Sequence, residues 1–261
     1  MYQLFSYFRY WMRSGNAHGL HSPFVFGLYT TVIRHDGQFA AFERIEARRK
    51  ELLASADSIA VADFGAGSQV AGAGGQQRRL RDIARHAAKP PRLAQLLFRL
   101  VNHFRPATIL ELGTSLGLTT AYLAAADSRS HIITFEGCPN TASVARDTFA
   151  KLALKNVQLV EGNLDATLPT TLASLPTPLD FVFFDGNHRY EPTLRYFEQC
   201  LAKAHEDSVF VLDDIHWSAE MERAWEAIKA NPAVTITVDL FYVGLVFFRK
   251  KQPRQDFSLR I

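Results

Sequence analysis

The sequence predicts an α/β fold built on a doubly wound, seven-stranded sheet, and three observations carry that prediction. Strand-like and helix-like segments alternate from Pro106 onward, the strands are near-continuous apolar runs, and the last two are too close in sequence to lie parallel. In order, ATILELG precedes the helical LTTAYLAAA, HIITFEG precedes a helix through VARDTFAKLAL, and VQLVEG follows. DFVFFDG then precedes PTLRYFEQCLAKA, and SVFVLDD precedes AEMERAWEAIKANP. Such helices are the crossovers that parallel neighbours require. Residues 234–240 and 243–248 leave no room for one, so they form an antiparallel hairpin.

The first 88 residues differ. They read as a helical, basic and aromatic extension with a Pro23 helix start and a glycine-rich loop over residues 63–77. Two amphipathic helices, 78–88 and 92–104, flank Pro90-Pro91. At about 150 residues per domain, the 261 residues form one to two domains. The expected division is the extension 1–88, a catalytic domain 89–250 and a tail 251–261. Residues 1–105 hold fifteen Lys/Arg against seven Asp/Glu and residues 106–261 fourteen against nineteen, so the net charge of +3 is a near-cancellation of unlike halves. With 48% hydrophobic and 21% charged residues, the composition excludes a disordered or fibrous chain. Two distant cysteines supply no disulfide framework, which suggests a cytoplasmic protein.

Two glycine turns compete for a nucleotide-like ligand. Asp63-Phe-Gly-Ala-Gly67 follows a short apolar run, and Glu111-Leu-Gly-Thr-Ser-Leu-Gly117 follows ATIL and opens a helix. In a nucleotide-binding βαβ unit a second acid ends the next strand, roughly 20 to 25 residues on, where it accepts the ribose hydroxyls. Glu136 meets that requirement, whereas the region after Asp63 is a basic helix. The second turn is therefore the expected site. No Gly-Lys-Ser/Thr follows it, which argues against a phosphate cradle; a nicotinamide dinucleotide is the competing ligand.

Carboxylates gather at the ends of the next strands, Asp185 after VFF and Asp213-Asp214 after FVL. Adjacent parallel strands end on one edge, where ligands bind in open α/β folds. Such acids repel one another and call for a cation, and an all-oxygen set suits Mg²⁺, alternatively Ca²⁺ or Mn²⁺. The plainer alternatives are that Asp185 caps the following helix, that Asp213 and Asp214 make Asx turns, and that His188 donates to a loop carbonyl.

The seven strands with their terminal hairpin, the Glu111–Gly117 turn and Glu136 resemble the Rossmann-like, class I S-adenosylmethionine-dependent methyltransferases, over about residues 89–250. The resemblance implies that Glu111, Gly113, Ser115, Gly117 and Thr119 surround the methionine part of S-adenosylmethionine, with Glu136 on its ribose and Asn163 and Leu164 near its adenine. Asp185 and Asp213 are similar to the acids that hold a divalent cation in catechol and caffeoyl-CoA O-methyltransferases, although Asp214 stands where that pattern has Asn. The Asp-Gly-x-His-x-Tyr run at 185–190 resembles a bacterial metal-linked branch. The resemblance makes Asp185, Asp213 and Asp214 the metal set and Asp185 a further cofactor contact. His188 takes the place of a lysine general base, and imidazole titrates near neutrality, where it suits proton removal from a hydroxyl.

The expected activity is O-methylation of a small hydroxylated acceptor, aromatic as the resemblance implies or anionic given the arginines at 78, 79, 81, 85 and 92. The alternatives are a nucleic-acid methyltransferase, disfavoured by the absence of an Asn/Asp-Pro-Pro-Tyr motif, and a silent cofactor-binding scaffold. The aromatic opening helix is expected to pack on the domain or on a second copy in a homodimer, with peripheral membrane contact as the lesser alternative.

Overall fold

The computed structural model describes residues 2–62 and 76–261. The Asp63–Gly67 turn and most of the expected glycine-rich loop lie outside the described residues. The chain opens with α1 (Tyr2–Arg13), a 3₁₀ turn (Ala17–Gly19) and α2 (Pro23–Leu28), which runs on as a π turn over Tyr29–Ile33. Then come α3 (Ala40–Ala54), β1 (Ser58–Val61), β2 (Gln76–Arg79), α4 (Leu80–His86) and α5 (Pro91–Phe104). The alternating portion is β3 (Thr108–Leu112), α6 (Leu118–Ala126), β4 (His131–Glu136), α7 (Pro139–Lys151), β5 (Val157–Glu161) and α8 (Leu164–Ser174). It continues through β6 (Leu179–Phe184), α9 (Tyr190–Leu201), β7 (Ala204–Asp213), α10 (Ala219–Ala230), β8 (Ile236–Asp239), β9 (Val243–Phe247) and β10 (Gln255–Ser258). All seven expected strands form, in the mixed α/β arrangement expected. Helices joined by short links make up residues 2–54, and β1 pairs antiparallel with β2, so Gln76 and Gln77 are strand rather than loop.

The chain divides into two compact units, one of Met1–His35 and Ser174–Ile261, the other Asp36–Ala173. In the second, β3, β4 and β5 run parallel in that order. Every residue of β3 is buried, as befits a strand covered on both faces. Gly117 opens α6 at φ 78°, where a Cβ would stand 2.6 Å from the Phe149 ring, so both the backbone conformation and the contact with α7 demand glycine. Helix α3 belongs to this unit: Phe42 packs on Phe98 and Tyr122, and the buried Arg48 reaches Asp147 at 2.6 Å.

In the first unit the strand order is β10, β8, β9, β7, β6. The hairpin turns through Leu240, Phe241 and Tyr242, with Phe241 left-handed at φ 69°, and β9 enters antiparallel between β7 and β8. The tail adds a strand, because β10 pairs parallel with β8. Its end ties down α1: Gly15 bridges Leu259, and the Tyr10 hydroxyl donates to the Leu259 carbonyl.

Candidate active site

Two groups of the expected residues assemble, one in each unit. In the Asp36–Ala173 unit the turn after β3 is drawn tightly onto the end of β4. Gly113 (φ 114°), Ser115 (φ 50°) and Gly117 are all left-handed or near it, and this conformation turns the Ser115 N–H toward Glu136. Glu136 Oε2 accepts that N–H at 2.9 Å, and its Oε1 accepts the Cys138 N–H at 2.9 Å. Burial raises the Glu136 pKa, and the backbone N–H groups of Cys138, Ser115 and Gly137 only partly counter it. A carboxylate fixed from both sides at a strand terminus is a preorganised acceptor for a diol, since each oxygen retains a further lone pair.

Glu111 lies deeper than a ligand-facing acid, fully buried within β3. Its Oε2 accepts from Thr120 Oγ1 at 2.5 Å and Thr134 Oγ1 at 2.6 Å, and Thr114 lies 2.6 Å from Thr134. These hydroxyls tie α6 and β4 to β3, and of the three only Thr114 lies within the glycine turn. Thr119 is buried in the first turn of α6. Asn163 caps α8, its side-chain oxygen accepting the Asp165 N–H at 2.9 Å, and Leu164 opens that helix half-buried.

In the other unit, parallel register makes the second group. Phe184 pairs with Leu212, so the next residues, Asp185 and Asp213, stand side by side at the strand ends. Asp185, His188 and Asp213 each present a ligand atom, all within 4.8 Å of one another. Asp214 is not in that group. It turns left-handed at φ 53° and gives its N–H to the Tyr242 carbonyl at 2.7 Å. Asn187, also left-handed at φ 52°, has a buried side-chain oxygen with no hydrogen-bond partner among the described residues. Two carboxylates from neighbouring strand ends beside an imidazole are a donor set that can hold a divalent cation, a hard one if only the carboxylates and waters ligate it.

A third cluster escaped sequence reasoning. His216 hydrogen-bonds Glu222 through Nδ1 at 2.9 Å and Asp239 through Nε2 at 2.8 Å, and it stacks on Phe241. Burial alone would lower its pKa, but the two carboxylates outweigh burial and raise it. Glu222 is pushed down to about 2: burial opposes this, while hydrogen bonds from His216, Ser6, Tyr2 and Arg9 prevail. The cluster joins α1 to the segment following β7 and is structural rather than catalytic. Its members are scattered over residues 2–239, and no local motif links them.

Residues 110–215 match the family model of a methyltransferase domain. A catechol O-methyltransferase of Niastella koreensis is 28% identical over 127 residues, 48% of this chain and 57% of that protein. The chain thus spans just over half the length of that curated relative. Among solved structures, an O-methyltransferase from Bacillus cereus in complex with SAH superposes with a TM-score of 0.57 at 18% identity, over 84% of this chain and 94% of that one. The O-methyltransferase TomG from Streptomyces achromogenes, in complex with SAM, gives a TM-score of 0.57 at 18% identity, over 86% and 95%. These two likenesses are of fold. Residues 110–215 thus match a methyltransferase domain, and the chain has the Rossmann-like fold of the solved O-methyltransferases it superposes on.

Proposed function

We propose that the chain transfers the methyl group of S-adenosylmethionine to a hydroxyl oxygen of a small acceptor, assisted by a divalent cation. The observation that carries this reading is the approach of Asp185, His188 and Asp213 to within 4.8 Å at the ends of β6 and β7. Glu136 holds the ribose hydroxyls, Gly113, Ser115, Gly117 and Thr119 line the methionine portion, Asn163 and Leu164 flank the adenine, and Glu111, sealed among Thr120 and Thr134, steadies the turn instead of meeting the ligand. Asp185 and Asp213 would hold the cation, with Asp214 next in sequence adding negative charge. When bound, the cation favours ionisation of the acceptor hydroxyl, and S-adenosylmethionine supplies a methyl already activated by its sulfonium. His188 removes the hydroxyl proton and keeps it at Nε2. The acceptor oxygen then bonds to the methyl carbon in line as the carbon–sulfur bond breaks, its electron pair staying on sulfur. The protein contributes alignment and charge.

The test is methyl transfer to a panel of catechols and other hydroxylated aromatics, with Mg²⁺ and with chelator, in the wild type and Asp213→Ala. Mg²⁺ should stimulate the wild type and leave the variant unmoved. Equal turnover in chelator sinks the metal part, and cofactor binding without transfer to any hydroxylated acceptor sinks the O-methylation.

A further inference from the structure

Helix α1 turns its apolar face away from the protein. At 3.6 residues per turn, Leu4, Phe5, Phe8, Trp11 and Met12 fill an arc of about 120°, and each is between 48% and 75% exposed. Opposite them sit Ser6 and Tyr10, the two buried residues of the helix. The docked side is held by polar contacts: Tyr2 and Ser6 hydrogen-bond Glu222, Arg9 pairs with Glu222 at 2.7 Å, and Tyr10 reaches the Leu259 carbonyl. A surface helix of a globular protein normally does the reverse, burying its apolar stripe. An exposed stripe of this size marks an interaction site.

Charge indicates what covers it. The stripe itself is uncharged and both its edges are basic. Arg9 and Arg13 follow Phe5 around one edge, and on the other the exposed Arg260 lies 4.7 Å over the Trp11 ring. Arg260 is fixed there by bonds to Ser14 Oγ at 3.1 Å and to the Trp11 carbonyl at 2.9 Å. Residues 2–35 contain three arginines and no Asp or Glu, and residues 249–261 contain five Lys/Arg against one Asp. A second copy laid on the same face would bring basic edge against basic edge, whereas anionic headgroups complement both edges.

We propose that α1 is an interfacial helix that lies in the plane of an anionic lipid surface. Leu4, Phe5, Phe8, Trp11 and Met12 enter the acyl boundary, and Arg13 and Arg260 meet the headgroups. No helix among the described residues is long and apolar enough to cross a membrane, so the attachment is peripheral. It is reversible and salt-sensitive, because part of it is screened Coulomb attraction.

The experiment is co-sedimentation of the full chain with vesicles of phosphatidylcholine alone and with phosphatidylglycerol added, together with Trp fluorescence. The expected result is binding to the anionic vesicles with a blue shift, weakened by salt. The triple variant Leu4→Ser, Phe5→Ser, Phe8→Ser should bind roughly tenfold more weakly or worse while melting as the wild type does, since all three side chains are exposed. Arg13→Glu should weaken binding to anionic vesicles and leave binding to neutral ones unchanged. Failure of the wild type to bind anionic vesicles, or equal binding by the triple variant, overturns the proposal. So does a concentration-dependent dimer that the triple variant abolishes, which would give the face to a second copy.

Discussion

His188 Nε2 stands 3.6 Å from Asp185 Oδ1, three residues further along the same turn. This is close enough for a shared cation or for a carboxylate that steadies a protonated ring, and too long for a strong hydrogen bond. The two roles separate experimentally. As the base, His188→Gln should lower kcat by roughly 10²- to 10⁴-fold with little change in KM for the acceptor. The cation affinity, measured calorimetrically without acceptor, should then change by less than about tenfold. A larger loss of affinity would make His188 a ligand and shift the preferred ion toward the imidazole-binding transition metals.

Gly117 and Glu136 govern one turn through different physics. Gly117→Ala forces an L-residue to φ 78° with its Cβ 2.6 Å from Phe149, at a cost of about 1–3 kcal/mol. Glu136→Gln leaves the backbone alone but points an NH₂ at the Ser115 or Cys138 N–H that a carboxylate oxygen now accepts. The glycine variant should therefore melt lower with or without S-adenosylhomocysteine. The glutamine variant should lose most of its affinity for that ligand, roughly tenfold or more, in a calorimetric titration.

The His216 cluster predicts a pH window for stability. The folded pKa of His216 is raised above 6.5, so its contribution is complete below 6.5 and disappears as pH rises through the raised value. Glu222 is depressed from 4.5 to about 2, so its contribution is complete above 4.5 and disappears as pH falls toward 2. The cluster is strongest between these limits. His216→Gln should lower the melting temperature in mildly acidic buffer by roughly 2–4 °C per kcal/mol lost and flatten its decline toward alkaline pH. An unchanged slope in the variant would show that the clamp contributes nothing.

Local chemistry made much of the domain legible. Strand–helix alternation, the glycine turn, an acid 25 residues after Glu111 and acids behind two apolar strands all lie in short stretches of sequence, and each element formed where those stretches place it. The site was less legible than the fold. Glu111 carries a sequence signal like that of Glu136, yet the one is sealed among Thr120 and Thr134 while the other is cradled by backbone N–H groups. Burial depth depends on what packs over a residue, and a short motif does not encode it.

By itself the sequence determined the α/β class, the hairpin that ends the alternation, and which residue types reach the strand ends, because periodicity and chain length control these. The tertiary structure decided which side chains meet. Register across β6 and β7 brought Asp185 to Asp213, and the turn after β6 brought His188 to both. It also decided the direction of α1. An aromatic, amphipathic helix is expected to bury its apolar side, but Ser6, Arg9 and Tyr10 find Glu222 and the Leu259 carbonyl far along the chain, and those polar partners hold the apolar side outward.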